Sequence, residues 1–511
     1  MSRGIVAAGH PGTAEAARLI LAEGGNAFDA ALGALCAACV CEPVLASLGG
    51  GGFLLAYEQG QSRLYDFFVQ TPRRRPSPDG LDFEPIQADF GTTRQEFHIG
   101  LGAMAVPGTV AGLFAIHRAH GRLPLGRLVE PALEMARQGV VVNGFTAAVF
   151  DAVKPIYTRH PQTLSHYAGC DPTRLAGEGE RLRQPLLADT LEVLALEGER
   201  LFYQGEIAQR LVAACADGGT LTREDLRGYR VELRRPLELD YHGVRLLTNP
   251  PPSCGGILIG FALKLLEGGE PLEWGSADYL TRLVQVMALT NRARVESRLH
   301  DLEHHRQSRV LLDPALLERY RRQVLGHRFF PRGTTHISVM DRAGRAAALT
   351  LSNGEGCGWL IPDTGIMMNN MLGEEDINPH GFHRWPLDTR ISSMMAPTLA
   401  LWPDGTLAAL GSGGSNRLRT AIFQVLVNLV DHGMALEAAV RAPRLHFEND
   451  FLNLEDGFPR PALEALAGRF PDHRLWDSQS FYFGGAHCVR QGAALQEGSG
   501  DPRRGGVWCR A

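Results

Sequence analysis

The chain has 511 residues, 44% of them hydrophobic and 21% charged, with a formal net charge of −5. That apolar fraction supports a large buried core and excludes a disordered chain. The 51 basic residues against 56 acidic ones give no basic field, so a nucleic-acid partner is excluded as well. No run approaches the roughly 20 apolar residues that cross a bilayer. The N-terminal stretch up to His10-Pro11 lacks the apolar segment of an export signal, so the sequence predicts a cytoplasmic protein with no membrane partner. Nine cysteines, an odd number, fit reduced thiols. Cys36, Cys39 and Cys41 are spaced like metal ligands but lie in an Ala/Val/Leu run with no nearby His, which predicts small buried hydrophobes.

The length allows two to four domains or one large fused architecture. In chain order, His10-Pro11-Gly12-Thr13 opens a helix over 13–23 that stops at Gly24-Gly25-Asn26, and 28–40 is a second, Ala-rich helix. Gly49 to Gly52 leads into a strand at 53–57. Pro107-Gly108-Thr109 precedes a helix over 111–120, and 121–330 reads as mainly helical, broken at 249–256. Near 333 the pattern becomes β-rich: a strand at 335–340, turn chemistry at 341–345, and a returning strand at 346–352. A second hairpin follows at 396–410, then an amphipathic helix at 420–432. This ordering predicts an α+β fold, a layered αββα sandwich.

One segment carries distinctive chemistry: Pro331-Arg332-Gly333-Thr334-Thr335-His336. A Thr hydroxyl is a poor nucleophile unless a base adjoins it, and its own N-terminal amine is one solution. That amine titrates near about 8, so part of it is neutral at physiological pH. Inside a chain the nitrogen is an amide, so such an enzyme must cut itself between Gly333 and Thr334. Taken alone the hexapeptide also reads as the start of an ordinary strand. Folding about Ala343-Gly344 places Thr334 near Ser352 and Asn353.

Other motifs are less specific. Gly49 to Gly52 lacks the Gly-Lys-Ser/Thr ending of a phosphate loop. Gly411-Ser412-Gly413-Gly414-Ser415, between a strand and a helix beginning near Arg419, can present N–H groups to an oxyanion, or is simply a tight turn. Ser392-Ser393 offer hydroxyls to a carboxylate, or are turn residues. His300, His304 and His305 with Glu303 have helical spacing but not the His-Glu-x-x-His order of a zinc motif, and read as a solvated helix face. A Gly-x-Ser-x-Gly elbow is absent. No feature demands a cofactor or metal.

Together these segments resemble the γ-glutamyltransferase (glutathione hydrolase) family of N-terminal nucleophile hydrolases. The resemblance runs nearly end to end: Gly24-Gly25-Asn26-Ala27-Phe28-Asp29-Ala30, Glu42-Pro43, Gly49 to Phe53, Val106 to Gly112, Leu221 to Leu226, Pro250 to Gly256, Thr334 to Val339, Asn369-Asn370, Ser392-Ser393-Met394, Gly413-Gly414-Ser415 and Ala442-Pro443-Arg444. The resemblance implies an αββα precursor cut into a large subunit, 1–333, and a small one, 334–511, which stay together. Thr334 becomes nucleophile and base, and forms an acyl-enzyme that water or an amine resolves. Gly413 and Gly414 match the oxyanion hole, Ser392 and Ser393 the serines that hold the donor α-carboxylate, and Ser352 a hydroxyl supporting the nucleophile.

The departures concern the donor pocket. Asp66-Phe67-Phe68-Val69 puts Phe68 where the family has an Arg for the α-carboxylate, a charge-assisted partner that Phe cannot replace. Arg73, Arg74 and Arg75 are near in sequence. After Asn369-Asn370 stands Met371, Glu374 is the nearest acidic match for the α-amine, and Asn353 matches the donor-binding Asn. The segment 374–390, where the family carries its lid, is short. Three readings follow: an enzyme acting on glutathione or other γ-glutamyl amides, an acylase for a different acyl group, or a catalytically silent binding homologue. The expected partners are a small amide and the chain's own two subunits.

Overall fold

A computed structural model describes residues 2–89, 94–267, 270–297, 310–321, 334–378 and 381–511. Two antiparallel sheets lie face to face. The first has seven strands in the order Val507–Arg510, Gly4–Ala8, Thr335–Asp341, Ala346–Ser352, Gly51–Glu58, Gln61–Phe67, Glu232–Arg234. The second has six, in the order Gln496–Ser499, Gly485–Gln491, Leu407–Gly413, Thr398–Leu401, Val244–Thr248, Leu237–Tyr241.

Strand side chains alternate between faces, and the two cores follow that alternation. Met340, Ala346 and Ala348 join the second sheet and the helices Gly255–Leu266, Ala277–Glu296 and Asn416–Val430 in one apolar core. Ile337, Val339, Ala347, Leu349 and Leu351 join the helices Pro11–Ala22, Ala27–Cys41, Thr109–His120 and Leu125–Gln138 in the other. The result is the four-layer αββα sandwich that the sequence predicts.

Why the helix under the first sheet fits so closely is visible in its composition. Every residue of Ala27–Cys41 is buried, and most are Ala, Gly or Cys, which let the helix approach the strands. Asn26 caps it with a reciprocal Asp29 bond, satisfying amides that would otherwise be orphaned in the interior. Cys36, Cys39 and Cys41 are free and buried, as expected of hydrophobes, and burial pushes the Cys36 thiol up to about 12.

The stretch 121–330 is mainly helical over its described residues, as read, but it also supplies strands. Leu237–Tyr241 and Val244–Thr248 form a hairpin that supplies one edge of the second sheet. Its signal is His242-Gly243, both at positive φ (50° and 79°), between alternating apolar residues. The helix predicted at 420–432 is Asn416–Val430, beginning directly after the glycine turn.

Candidate active site

The hairpin Thr335–Asp341/Ala346–Ser352 pairs Thr335 with Leu351, so its register sets Thr334 opposite Ser352. Thr335 and Ile337 face the helical layer, while Thr334, His336 and Ser338 face the second sheet. Thr335 Oγ1 donates to Glu42 Oε2 at 2.5 Å, and Thr13 Oγ1 to Glu42 Oε1 at 2.7 Å. Burial pushes the Glu42 carboxyl up, and these two hydroxyls pull it back. On the other face His336 lies 2.8 Å from Thr350 Oγ1 and 2.9 Å from Ser338 Oγ. Burial holds this ring well below the usual histidine range, so it is neutral.

The second sheet brings its glycines against Thr334. A Cβ at Gly413 would lie 2.0 Å from the Thr334 carbonyl oxygen, and one at Gly411 would lie 2.3 Å from the His336 ring. Only glycine permits that approach. Gly414 has φ +119°, and Ser415, a non-glycine at φ +54°, turns the chain into the helix. Behind them Arg504 Nη1 donates to the Thr334 carbonyl at 3.3 Å. Burial pulls Arg504 down to about 10, reinforced by the nearby Arg417 and countered by Glu355, Asp501 and Glu42.

The donor-side candidates lie beyond Ser352. Ser352 Oγ accepts from the Gly354 amide at 3.2 Å. Gly354, at φ +64°, leaves room for Asn370 Oδ1 and Glu374 Oε1, which a Cβ there would meet at 2.1 and 2.2 Å. Glu374 is buried. Asn353 is fully buried, and neither atom of its amide has a hydrogen-bond partner; the same holds for Asn416, just after the glycine turn. Ser392 Oγ donates to the Pro252 carbonyl at 2.9 Å and lies 3.3 Å from Cys254 Sγ. Ser393 Oγ accepts from the Met395 amide at 3.0 Å.

Phe68 is packed inside the core, its ring 5.4 Å from Phe53. Arg73 pairs with Asp388, and Arg75 donates to the Trp385 carbonyl. The buried cation beside Phe68 is one that sequence reasoning missed. Arg390 donates to the Phe68 carbonyl, to Tyr229 Oη at 2.7 Å and to the Arg230 carbonyl at 2.6 Å, with Asp66 at 3.3 Å. Glu42 and Arg504 were also given no role, because their partners are distant in sequence. Gly333, His300, His304, His305 and Glu303 lie outside the described residues. Among the described residues no group of three or more His, Cys, Asp or Glu is placed to hold a metal, and no helix is long and apolar enough to cross a membrane.

Two facing antiparallel sheets clad by helices, with a Thr at the start of a central strand, are the architecture of the N-terminal nucleophile hydrolases. The gamma-glutamyltranspeptidase family pattern matches residues 13–510, and the chain belongs to that family of enzymes. Among its relatives, the acylase ACY 1 proenzyme of Pseudomonas sp. (strain SE83) is 30% identical over 92% of this chain and 87% of the relative. The glutathione hydrolase proenzyme of Escherichia coli (strain K12) is 30% identical over 88% and 82%. A cephalosporin acylase from Bacillus halodurans has the same fold, with a TM-score of 0.85 over 99% of this chain and 96% of that one at 24% identity.

Proposed function

We propose that the chain is a self-processing amide hydrolase and acyltransferase whose nucleophile is Thr334. The observation that carries this reading is the register that sets Thr334 opposite Ser352 with Gly413 closed against its carbonyl. Cleavage between Gly333 and Thr334 frees the α-amine, which takes the proton from the Thr334 hydroxyl as its oxygen attacks the donor's acyl carbon. Gly413 and Gly414 face the oxyanion with their N–H groups. The leaving amine departs with a proton, and water or an acceptor amine resolves the Thr334 ester. Subunits 1–333 and 334–511 stay together, because Thr335–Asp341 and Ala346–Ser352 lie between Gly4–Ala8 and Gly51–Glu58 of the large one. A cytosolic setting belongs to this reading and is supported by nine free thiols.

Glutathione and other γ-glutamyl amides are the first donor class. Ser392 and Ser393 are taken to meet the α-carboxylate, and Asn353 and Glu374 the α-amine. A second class, acyl groups without a zwitterionic end, is favoured by Phe68, which puts an apolar ring where the family has its carboxylate-binding Arg. Intact mass spectrometry of wild type and Thr334→Ala tests the common step. Wild type is expected as two chains meeting at Gly333/Thr334, and the variant as one; two chains from the variant end this reading.

A further inference from the structure

Five rings gather at the outer edge of the donor wall. Phe83 stacks on His98 (4.5 Å between centroids) and meets Phe382 at 5.3 Å and His383 at 4.5 Å; His98 lies 4.3 Å from Phe382, and His383 5.5 Å from Trp385. Three buried nitrogens in this cluster have no hydrogen-bond partner: His98 Nδ1, His383 Nδ1 and Trp385 Nε1. Leaving one such group unpaired costs its desolvation, and each case in a folded protein calls for an explanation. Three within one cluster whose rings, Trp385 apart, stay part-exposed point to a planar partner that covers them and brings its own hydrogen-bonding groups.

The cluster is joined directly to the donor-side candidates. A Cβ at Gly373, next to Glu374, would lie 2.0 Å from the His98 carbonyl oxygen, and Asn370 Nδ2 donates to the same oxygen at 3.5 Å. Trp385 belongs to the segment that leads into Ser392 and Ser393. That segment is pinned beside Phe68, where the Ile391 amide donates to the Val69 carbonyl at 3.2 Å and the Asp388 amide to the Pro72 carbonyl at 3.1 Å. The strand that carries His98 and the segment that carries Trp385 therefore adjoin the residues assigned to the acyl group.

We propose that Phe83, His98, Phe382, His383 and Trp385 form a subsite for an aromatic, hydroxyl-bearing end of the donor's acyl group. This rests on the Thr334 reading and narrows its second donor class. Burial pulls both histidines below their ordinary range, so each ring is neutral and offers one donor and one acceptor.

The test holds the leaving group constant. Processed enzyme is assayed on p-nitroanilides of acetyl, hexanoyl, phenylacetyl, 4-hydroxyphenylacetyl and γ-glutamyl groups, and on 4-hydroxyphenylacetamide to vary the amine. The expected order of kcat/KM has 4-hydroxyphenylacetyl above phenylacetyl, and both at least about tenfold above hexanoyl. Phe83→Ala lowers the aromatic substrates about tenfold, with acetyl turnover and self-cleavage unchanged. Equal treatment of aromatic and aliphatic acyl groups, or an equal loss on every substrate, overturns the proposal. Binding is read independently of turnover by fluorescence titration with 4-hydroxyphenylacetate, expected to saturate in wild type and weaken at least about tenfold in Phe83→Ala. Failure to cleave, with binding intact, removes the Thr334 reading alone; absence of saturable binding removes the subsite.

Discussion

The network beneath Thr334 and the wall beyond Ser352 lie side by side and differ in how their buried polar groups are met, although Asn416 and the Nε of Arg504, on the Thr334 side, also lack partners. Beneath Thr334, Glu42 is bonded by Thr13 and Thr335, and His336 by Thr350 and Ser338. Asp501 is held by Arg444 at 2.7 Å and Arg503 at 3.2 Å. Along the wall, the Asn353 amide and three ring nitrogens have no partner. Matched groups stabilise the fold and fix geometry. Unmatched ones cost stability and are retained where a ligand meets them. On the proposed reading, the contrast separates the part of the molecule that fixes the reaction from the part that chooses the substrate.

The largest expected effect comes from closing the space at Gly413. Gly413→Ala drives a methyl group to 2.0 Å from the Thr334 carbonyl oxygen, so that strand and Thr334 must separate. Self-cleavage followed on a denaturing gel is expected to slow by at least about 10²-fold, the scale on which oxyanion-hole damage is felt. Cleavage at the wild-type rate would show that the glycine contact plays no part in the reaction.

Breaking a matched charge ranks next. Asp501→Asn leaves the Arg444 and Arg503 guanidiniums without their shared carboxylate in the interior. A loss of about 3–5 kcal/mol is expected, read as a lower midpoint in urea. Acid should reach the same network. Burial by itself raises the Asp501 carboxyl, but Arg444 and Arg503 more than reverse this and hold it at about 2, against an ordinary 3.8. Glu448 is likewise brought to about 2 by His446 and Arg419, against burial. Carboxyls depressed in this way stabilise the fold above their unfolded values, and that stability drains as pH falls toward 2. His487 and His10, pushed by burial from 6.5 to about 4, act in the same direction between those two values, since the unfolded chain binds their protons first. Urea midpoints should therefore fall steadily from pH 7 to pH 3. A flat profile would mean that the network contributes nothing.

What could be read from the sequence follows from how local each signal is. The hairpin carrying Thr334 was legible, because Thr335, Ile337 and Val339 alternate before the turn chemistry of Asp341-Arg342-Ala343-Gly344-Arg345 and a mostly apolar run returns over 346–352, in a register that opposes Thr334 to Ser352. The hairpin at 237–248 was missed: His242-Gly243 is a weak turn signal inside a long helical stretch. Contacts between distant segments were not legible. Thr335 meets Glu42 across 293 positions, and Arg504 meets Thr334 across 170. Phe68 was recognised as a departure from the family, but only packing reveals Arg390 buried against its carbonyl.

The smallest expected change in stability tests the wall most directly. Asn353→Leu removes a buried amide with no partner and substitutes a side chain of similar size. In a matched network such a change would cost several kcal/mol. Here the orphaned amide already bears its desolvation penalty, so the urea midpoint should hold or rise by the equivalent of about 1 kcal/mol. Donor binding should move the opposite way, with KM rising about tenfold for the best substrate and self-cleavage unaffected. Stability gained while affinity is lost is the behaviour expected of a residue retained for its ligand. A midpoint that drops by more than about 2 kcal/mol would place Asn353 in the structural network instead, and the boundary between the two regions would then lie beyond it.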